Sequence, residues 1–471
     1  MKADARRFLV RASQSGASNA LAFLVSMATT LVLPKLLGVE DYSLWQLYVF
    51  FLGYFGVLQF GWTDGIYLRY GGRLYAELDR PMFAAQFRLL AASQVLIAVL
   101  IVLLAMLVPE PDRAYIVTMT ALTTAVLGTR TFVLLVYQAT NLIGHYARVL
   151  VLESSLFIVA TLVYFLSGGR GFEGVVACDL LARTISLVVA VIWSRDLVLG
   201  RVRLSKAVFA EAWQNLSVGI KLMIANLASI LMVGIVRFAI EQHWDVTTFG
   251  KVSLALSVSN IFMVSVSAVG VVVFPTLRRI AAERKPALFL ALRAGFMAVA
   301  VLMLLLYFPM RTALAFWLPD YRDALVYLGL LFPAFVYEGR MALLINAFLK
   351  DVREERALML VNAGGVVLSV GLALITTVWL NSIVLAAGSI ILLIVARATV
   401  AELVLWRRLG ISALPSMLGE IALTVVFVAS VWLLPSGQAA GLYAAGCAVY
   451  LLVSIRLLKR SATLLRDLVL N

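Results

Sequence analysis

The chain has only two cysteines, Cys178 and Cys447, in 471 residues. Both lie inside apolar runs, so there is no disulfide framework and no zinc-ligand spacing, and each reads as a small buried residue. No catalytic motif is present, and no residue cluster calls for a metal or a cofactor. Charge is also scarce: 14% of residues are Asp, Glu, Lys or Arg and 63% are hydrophobic, against about 25% and 45–50% in soluble globular chains. Too few polar groups remain to cover the surface of a water-soluble fold. Acids are the scarcer sign, 25 against 39 basic residues, for a net charge of +14. That excess does not point to nucleic acid, because the cations sit in short loops between apolar runs rather than on one patch. Met1 to Ser18 is too polar for a cleaved signal peptide, so the first long apolar run is expected to remain as a membrane span.

What the chain has in abundance is long apolar segments. The stretch Leu36–Arg88 shows the pattern: a polar turn at Gly38–Asp41, an apolar run from Tyr42 to Trp62, then Arg69, Arg73, Arg80 and Arg88. An unbroken apolar helix of that length matches a hydrocarbon layer of ~30 Å. Fourteen spans are predicted, near 15–37, 42–64, 86–108, 114–138, 147–167, 174–194, 214–240, 249–274, 287–309, 324–349, 357–380, 382–405, 417–434 and 439–458. With the N-terminus inside, 27 cations fall on the cytoplasmic side, 6 on the outer side and 6 within spans. An error of one span would mix the two sides, so the asymmetry predicts an even count with both termini cytoplasmic. Trp45, Trp62, Trp193, Trp213, Trp244, Trp379 and Trp406 near span ends agree with those boundaries. Pro333, inside the tenth span, is expected to kink it.

The basic turn after the second span recurs. Residues Arg73 to Pro81 line up with Arg278 to Pro286, and an arginine follows each proline by seven residues, at Arg88 and Arg293. Gln14…Asn19 at the head of span 1 is echoed by Gln214-Asn215…Gly219 at the head of span 7. Both copies start on the cytoplasmic side, which predicts a parallel repeat about an axis along the membrane normal. The expected architecture is therefore an all-α integral membrane fold of two pseudo-symmetric six-helix lobes, residues 1–205 and 206–408, followed by two further helices in 409–471. A substrate path is expected between the lobes.

Polar groups at membrane depth are where function is sought. Six cations lie within spans, Arg130, Arg183, Lys221, Arg237, Arg340 and Arg397. Facing lipid, each would cost about 2.5–3.5 kcal/mol, together on the order of 15–20 kcal/mol. Arg237, near the outer end of its span, is expected to snorkel. Arg130, Arg183, Lys221, Arg340 and Arg397 are candidates for a cationic cavity that receives an anionic headgroup, the alternative being pairing with Asp179, Glu338, Glu402 or backbone carbonyls. Asp179 and Arg183 share a helix face at i, i+4, whereas Glu338 and Arg340 point apart. The interior cations outnumber the interior acids weighed against them. Ser253, Ser257, Asn260 and Ser267 form a polar stripe on span 8, and Ser15, Asn19, Ser26 and Thr30 a similar one on span 1; such stripes line wet cavities or cement helix packing. Asp64, Asp179 and Glu338 are the candidates for coupling to a proton or sodium ion, with Asp64 also readable as an ordinary helix-end carboxylate.

The opening LxxPKLLGVEDYSLWQLYVFF, the span-2 exit FGWTDGIYLRYGG and the segment QATNLIGHYA from Gln138 to Ala147, set in fourteen spans, resemble the polysaccharide-exporting branch of the multidrug/oligosaccharidyl-lipid/polysaccharide flippase superfamily. The resemblance covers nearly the whole chain. It implies an inner-membrane flippase that moves undecaprenyl-pyrophosphate-linked O-antigen or exopolysaccharide repeat units outward by alternating access, in partnership with the lipid bilayer and a coupling ion, with no enzyme chemistry. Three alternatives stay in view. A multidrug or cation antiporter of the same fold would favour acidic cavity residues. A lipid II flippase would carry arginines within its first two spans, and none sits mid-span there. A polysaccharide polymerase or ligase would need a large outer loop, whereas the longest here, near 241–248 and 310–323, are short.

Overall fold

The computed structural model describes residues 23–470 except 201, 203–204 and 278–281, with side chains also set aside at 264–282, 355, 460, 462 and 464–470. The described chain is helical, without a strand. Thirteen of its helices are long and apolar enough to cross a membrane. They are α1 (Phe23–Gln59), α3 (Arg80–Ala105), α4 (Pro111–Ala139), α5 (Ile143–Leu166), α6 (Phe172–Trp193), α7 (Lys206–His243), α8 (Val246–Leu277), α9 (Lys285–Trp317), α10 (Ala324–Asp351), α11 (Arg356–Trp379), α12 (Ile383–Leu409), α13 (Leu414–Leu433) and α14 (Ser436–Leu470). A shorter helix, α2 (Trp62–Tyr70), follows α1. The chain is a multi-pass membrane protein.

The first of these helices reconciles thirteen with fourteen. Gly38 interrupts α1 with φ 77° and ψ −179°, a conformation that only glycine adopts freely. Divided there, α1 supplies the first two predicted spans. The second of them departs from the expected unbroken helix. It ends at Leu52, passes through a 3-10 turn at Phe55–Gln59, and then through two left-handed residues, Phe60 (φ 51°) and Gly61 (φ 77°). Gly53, Gly56 and Gly61 make this segment a poor helix. The break also leaves backbone groups without helical partners, and Gln94 meets one of them: its amide donates to the Leu58 carbonyl at 2.9 Å. Gly128 makes room for that amide, since a Cβ there would lie 2.6 Å from Gln94 Oε1.

The chain divides into two compact units, Met1–Ile230 and Leu231–Asn471, with the division inside α7. In the first unit the core gathers Phe83, Phe87, Phe132, Tyr137 and Val149, with Phe87 and Phe132 edge to face at 5.5 Å. In the second, Phe427 meets Tyr307, Phe332 and Tyr443, and a further core joins Phe289, Leu344, Phe348 and Leu405. Helices already in lipid gain little from hiding apolar surface, so tight van der Waals contact of this kind and interhelical polar contacts carry the packing. As expected, α10 breaks at Pro333, between Ala324–Leu331 and Ala334–Arg340. The two basic turns share local structure. A 3-10 turn (Tyr75–Glu77 or Ala282–Arg284) leads into a helix with proline, Pro81 or Pro286, in its first turn, where the missing N–H costs nothing.

Candidate functional site

Each unit holds one buried network in which arginines and carboxylates come in equal number. In the first unit, Glu153 on α5 pairs with Arg130 on α4 and, at 3.3 Å, with Arg183 on α6. Arg183 Nε donates to Asp179 Oδ2 at 2.7 Å, one helical turn away. The Tyr48 hydroxyl on α1 donates to the same Asp179 oxygen at 2.7 Å and lies 2.9 Å from the Thr123 hydroxyl. Arg130 also reaches the Ser186 hydroxyl at 3.3 Å. Two positive and two negative charges thus sit together, with Arg183 the most accessible, its side chain 22% exposed.

The second unit's network is drier. Arg293 on α9 holds Glu420 on α13 with both terminal nitrogens, at 2.7 and 2.8 Å, and its Nε pairs with Glu402 on α12. Arg340 on α10 donates to Glu420 at 2.8 Å and lies 3.2 Å from Glu402. Tyr450 on α14 donates to Glu420 at 3.2 Å. None of the four charged side chains is more than 2% exposed. Two residues before Arg340, Glu338 accepts from Arg397 at 2.5 Å. The expectation that Glu338 and Arg340 face apart describes this arrangement, each finding its own partner.

Two expectations need correcting. Within the two networks the acids match the cations, because Glu153 and Glu420, inside the runs 147–167 and 417–434, pair there beside Asp179 and Glu402. Arg293, one of the 27 cations expected on the cytoplasmic side, is buried within α9. A glutamate inside an apolar run was the available signal in both cases, since such a group in lipid needs a cation. Arg237 is not simply reaching for the interface: it donates to Ser253 at 2.7 Å and lies 5.0 Å from the centre of the Phe249 ring.

Lys221 is placed differently. It is exposed on α7, and among the described residues no carboxylate pairs with it. Gln214, Ser217 and Lys221, at offsets 0, 3 and 7, lie on one helix face, and all three are exposed. Of the stripe on α8, Ser253 is buried, Ser257 half-buried and Asn260 exposed, while the Ser267 side chain lies outside the described residues, as do Ser15 and Asn19. Ser26 is half-buried, its carbonyl accepting from Thr29 at 3.1 Å. Asp64 is half-buried in the first turn of α2, where the helix dipole favours a carboxylate. No three His, Cys, Asp or Glu side chains among the described residues gather where they could hold a metal.

Near the end of α2 a further cluster forms. Arg69 pairs with Glu211 and donates to Asn215 at 2.5 Å and Gln214 at 2.7 Å. Tyr70 donates to Glu211 at 2.7 Å. Burial, helped by that hydrogen bond, pushes the Tyr70 phenol up to about 12, so it remains a donor at neutral pH.

No family model matches the chain, and no curated protein sequence does. Solved structures do match it in shape. An inward-facing multidrug resistance MATE family transporter of the MOP superfamily superposes with a TM-score of 0.64 at 13% identity, over 83% of this chain and 94% of that one. The lipid II flippase MurJ, in an inward closed conformation, gives 0.64 at 11% identity, over 98% of this chain and 100% of its own. The chain has a MATE- and MurJ-like transporter fold. A third match, a MOP superfamily transporter from Pyrococcus furiosus described as having a binding pocket of reversed polarity, gives 0.51 at 15% identity over 85% and 94%. These structural neighbours are transporters and flippases, not enzymes.

Proposed function

We propose that the chain is a flippase for lipid-linked oligosaccharides, carrying undecaprenyl-pyrophosphate-linked repeat units from the cytoplasmic to the periplasmic leaflet of a bacterial inner membrane, with both termini cytoplasmic. The observation that carries this reading is Lys221. Trp213, 69% exposed, has the character of an interfacial residue. Lys221 lies eight residues further along the same helix, about 12 Å deeper at 1.5 Å per residue. That is close to the middle of a ~30 Å hydrocarbon layer, beyond the comfortable reach of a snorkelling side chain. An ammonium against lipid there would cost about 2.5–3.5 kcal/mol. The accompanying Gln214 and Ser217 make water the natural neighbour of this face.

A cation without a carboxylate, in water at membrane depth, suits a pyrophosphate headgroup through charge-assisted hydrogen bonds. Arg183, the most accessible member of the first network, is the second candidate contact. The glycan would cross in water while the polyprenyl chain stays in lipid. The proton or sodium coupling ion would bind at a carboxylate, with Asp179 the member of the earlier list that already sits among arginines.

The drug-antiporter reading makes the opposite demand, an unmatched acid for a cationic guest. The deciding experiment reconstitutes the protein and compares translocation of a fluorescent short-chain polyprenyl-pyrophosphate oligosaccharide with uptake of a cationic dye. The flippase reading expects movement of the first and none of the second; dye uptake without lipid movement would replace it with the antiporter reading.

A further inference from the structure

The broken end of α1, with α2, touches α7 through backbone. A Cβ on Gly61 or Gly65 would overlap the backbone of Gly219 or Asn215, and one on Gly219 would overlap Gly61. Only hydrogen fits at these three positions. At this crossing the backbone of α7 lies directly against that of α2 and the end of α1. The Arg69, Tyr70, Glu211, Gln214 and Asn215 cluster lies directly beside it.

Three features distinguish this contact from the second unit's quartet. Its ion pair is part-exposed, with Arg69 25% and Glu211 16% exposed against 2% or less there. Its helix approach is a single crossing, so parting it uncovers little surface. It also adjoins Gly53–Gly61, where the α-helix gives way to a 3-10 turn and two left-handed residues, a preformed change of chain direction. A part-exposed ion pair contributes little net free energy, because water can re-solvate its charges when it parts.

We propose that this crossing is a latch. The Arg69–Glu211 clasp holds α2 and the end of α1 on α7 in the present conformation and releases in a second one, with Gly53–Gly61 as the hinge. Its place in a transport cycle rests on the function proposed above; its opening does not.

The test uses the full chain in lipid nanodiscs, with Cys178 and Cys447 replaced by alanine and nitroxide labels at Leu68 and Trp213, both exposed. Pulsed dipolar spectroscopy is expected to give two distances, and Glu211→Gln, which removes charge but little volume, to raise the longer population at least threefold. A single unchanged distance in both proteins would overturn the latch. In proteoliposomes, joining R69C to E211C with a short reducible cross-linker is expected to stop movement of the polyprenyl-pyrophosphate probe, and reduction to restore it. Unimpeded movement in fully cross-linked protein would overturn the latch's part in the cycle. Should the uncross-linked protein move no probe at all, the flippase reading fails, and the two distances still decide the latch.

Discussion

Replacing Glu420 with glutamine isolates the electrostatics of the second unit. Glu420 accepts two hydrogen bonds from Arg293 at 2.7 and 2.8 Å, one from Arg340 at 2.8 Å and one from Tyr450 at 3.2 Å. Glutamine keeps the volume and part of the hydrogen bonding, but leaves two guanidinium groups, each 2% exposed or less, to share Glu402 alone. Stranding a buried charge in this way costs about 3–5 kcal/mol, a large part of a typical net stability of about 5–15 kcal/mol. With an unfolding entropy of ~2.1 cal/mol/K per residue, a unit the size of Leu231–Asn471 loses roughly 0.5 kcal/mol per degree, so the midpoint should fall by about 6–10 °C. Thermal unfolding in detergent, read by fluorescence-detected size exclusion, measures it. Restoring neutrality with Glu420→Gln plus Arg340→Gln should recover most of the loss, because Arg293 and Glu402 remain as a matched pair. If the single variant stays within about 1 °C of the parent, or the double variant is no better than the single, the quartet is not balanced by charge and the reasoning fails.

Other outcomes follow from the same geometry. Gln94→Leu removes the donor to the Leu58 carbonyl and should cost about 1–3 kcal/mol by leaving that group unpaired in the membrane, visible as a lower midpoint in the same thermal assay. Gly219→Ala forces a methyl group into the Gly61 backbone and should destabilise by about 1–3 kcal/mol, with reduced yield of monodisperse protein. A double-mutant cycle on Asp179→Asn and Arg183→Gln should show a coupling energy of about 0.5–3 kcal/mol; a value near zero would mean that their 2.7 Å contact is energetically idle.

The sequence carried the helical, multi-span architecture because length and hydropathy alone decide which segments can span a bilayer. Gly38, with its left-handed backbone, marks the boundary between the first two spans as the polar turn suggested. The break at Gly53–Gly61 was less legible. Hydropathy counts those residues as apolar, whereas their backbone conformation depends on Gln94 and Gly128, which lie far away in sequence. The charge networks were half legible. Arg130, Arg183, Arg340 and Arg397 stand out in apolar runs, but which acid each meets depends on how helices pack, and Arg293 lies close enough in sequence to the basic residues Arg284 and Lys285 to count with them. In the structure Arg88 donates to the Gly200 carbonyl at the surface while Arg293 is buried. The two aligned arginines therefore follow similar basic turns without sharing an environment.

In the proposed function, the quartet Arg293, Arg340, Glu402 and Glu420 is balanced and structural while Lys221 is held for an anionic guest. The measurement that tests it most directly is the initial rate of polyprenyl-pyrophosphate probe movement by Lys221→Gln in proteoliposomes. Loss of one charge-assisted contact, worth about 1.5–3 kcal/mol, predicts a rate reduced roughly 10–100-fold with an unchanged unfolding midpoint, and Lys221→Arg should stay within a few-fold of the parent. A Lys221→Gln protein that moves the probe at the parent's rate would contradict it.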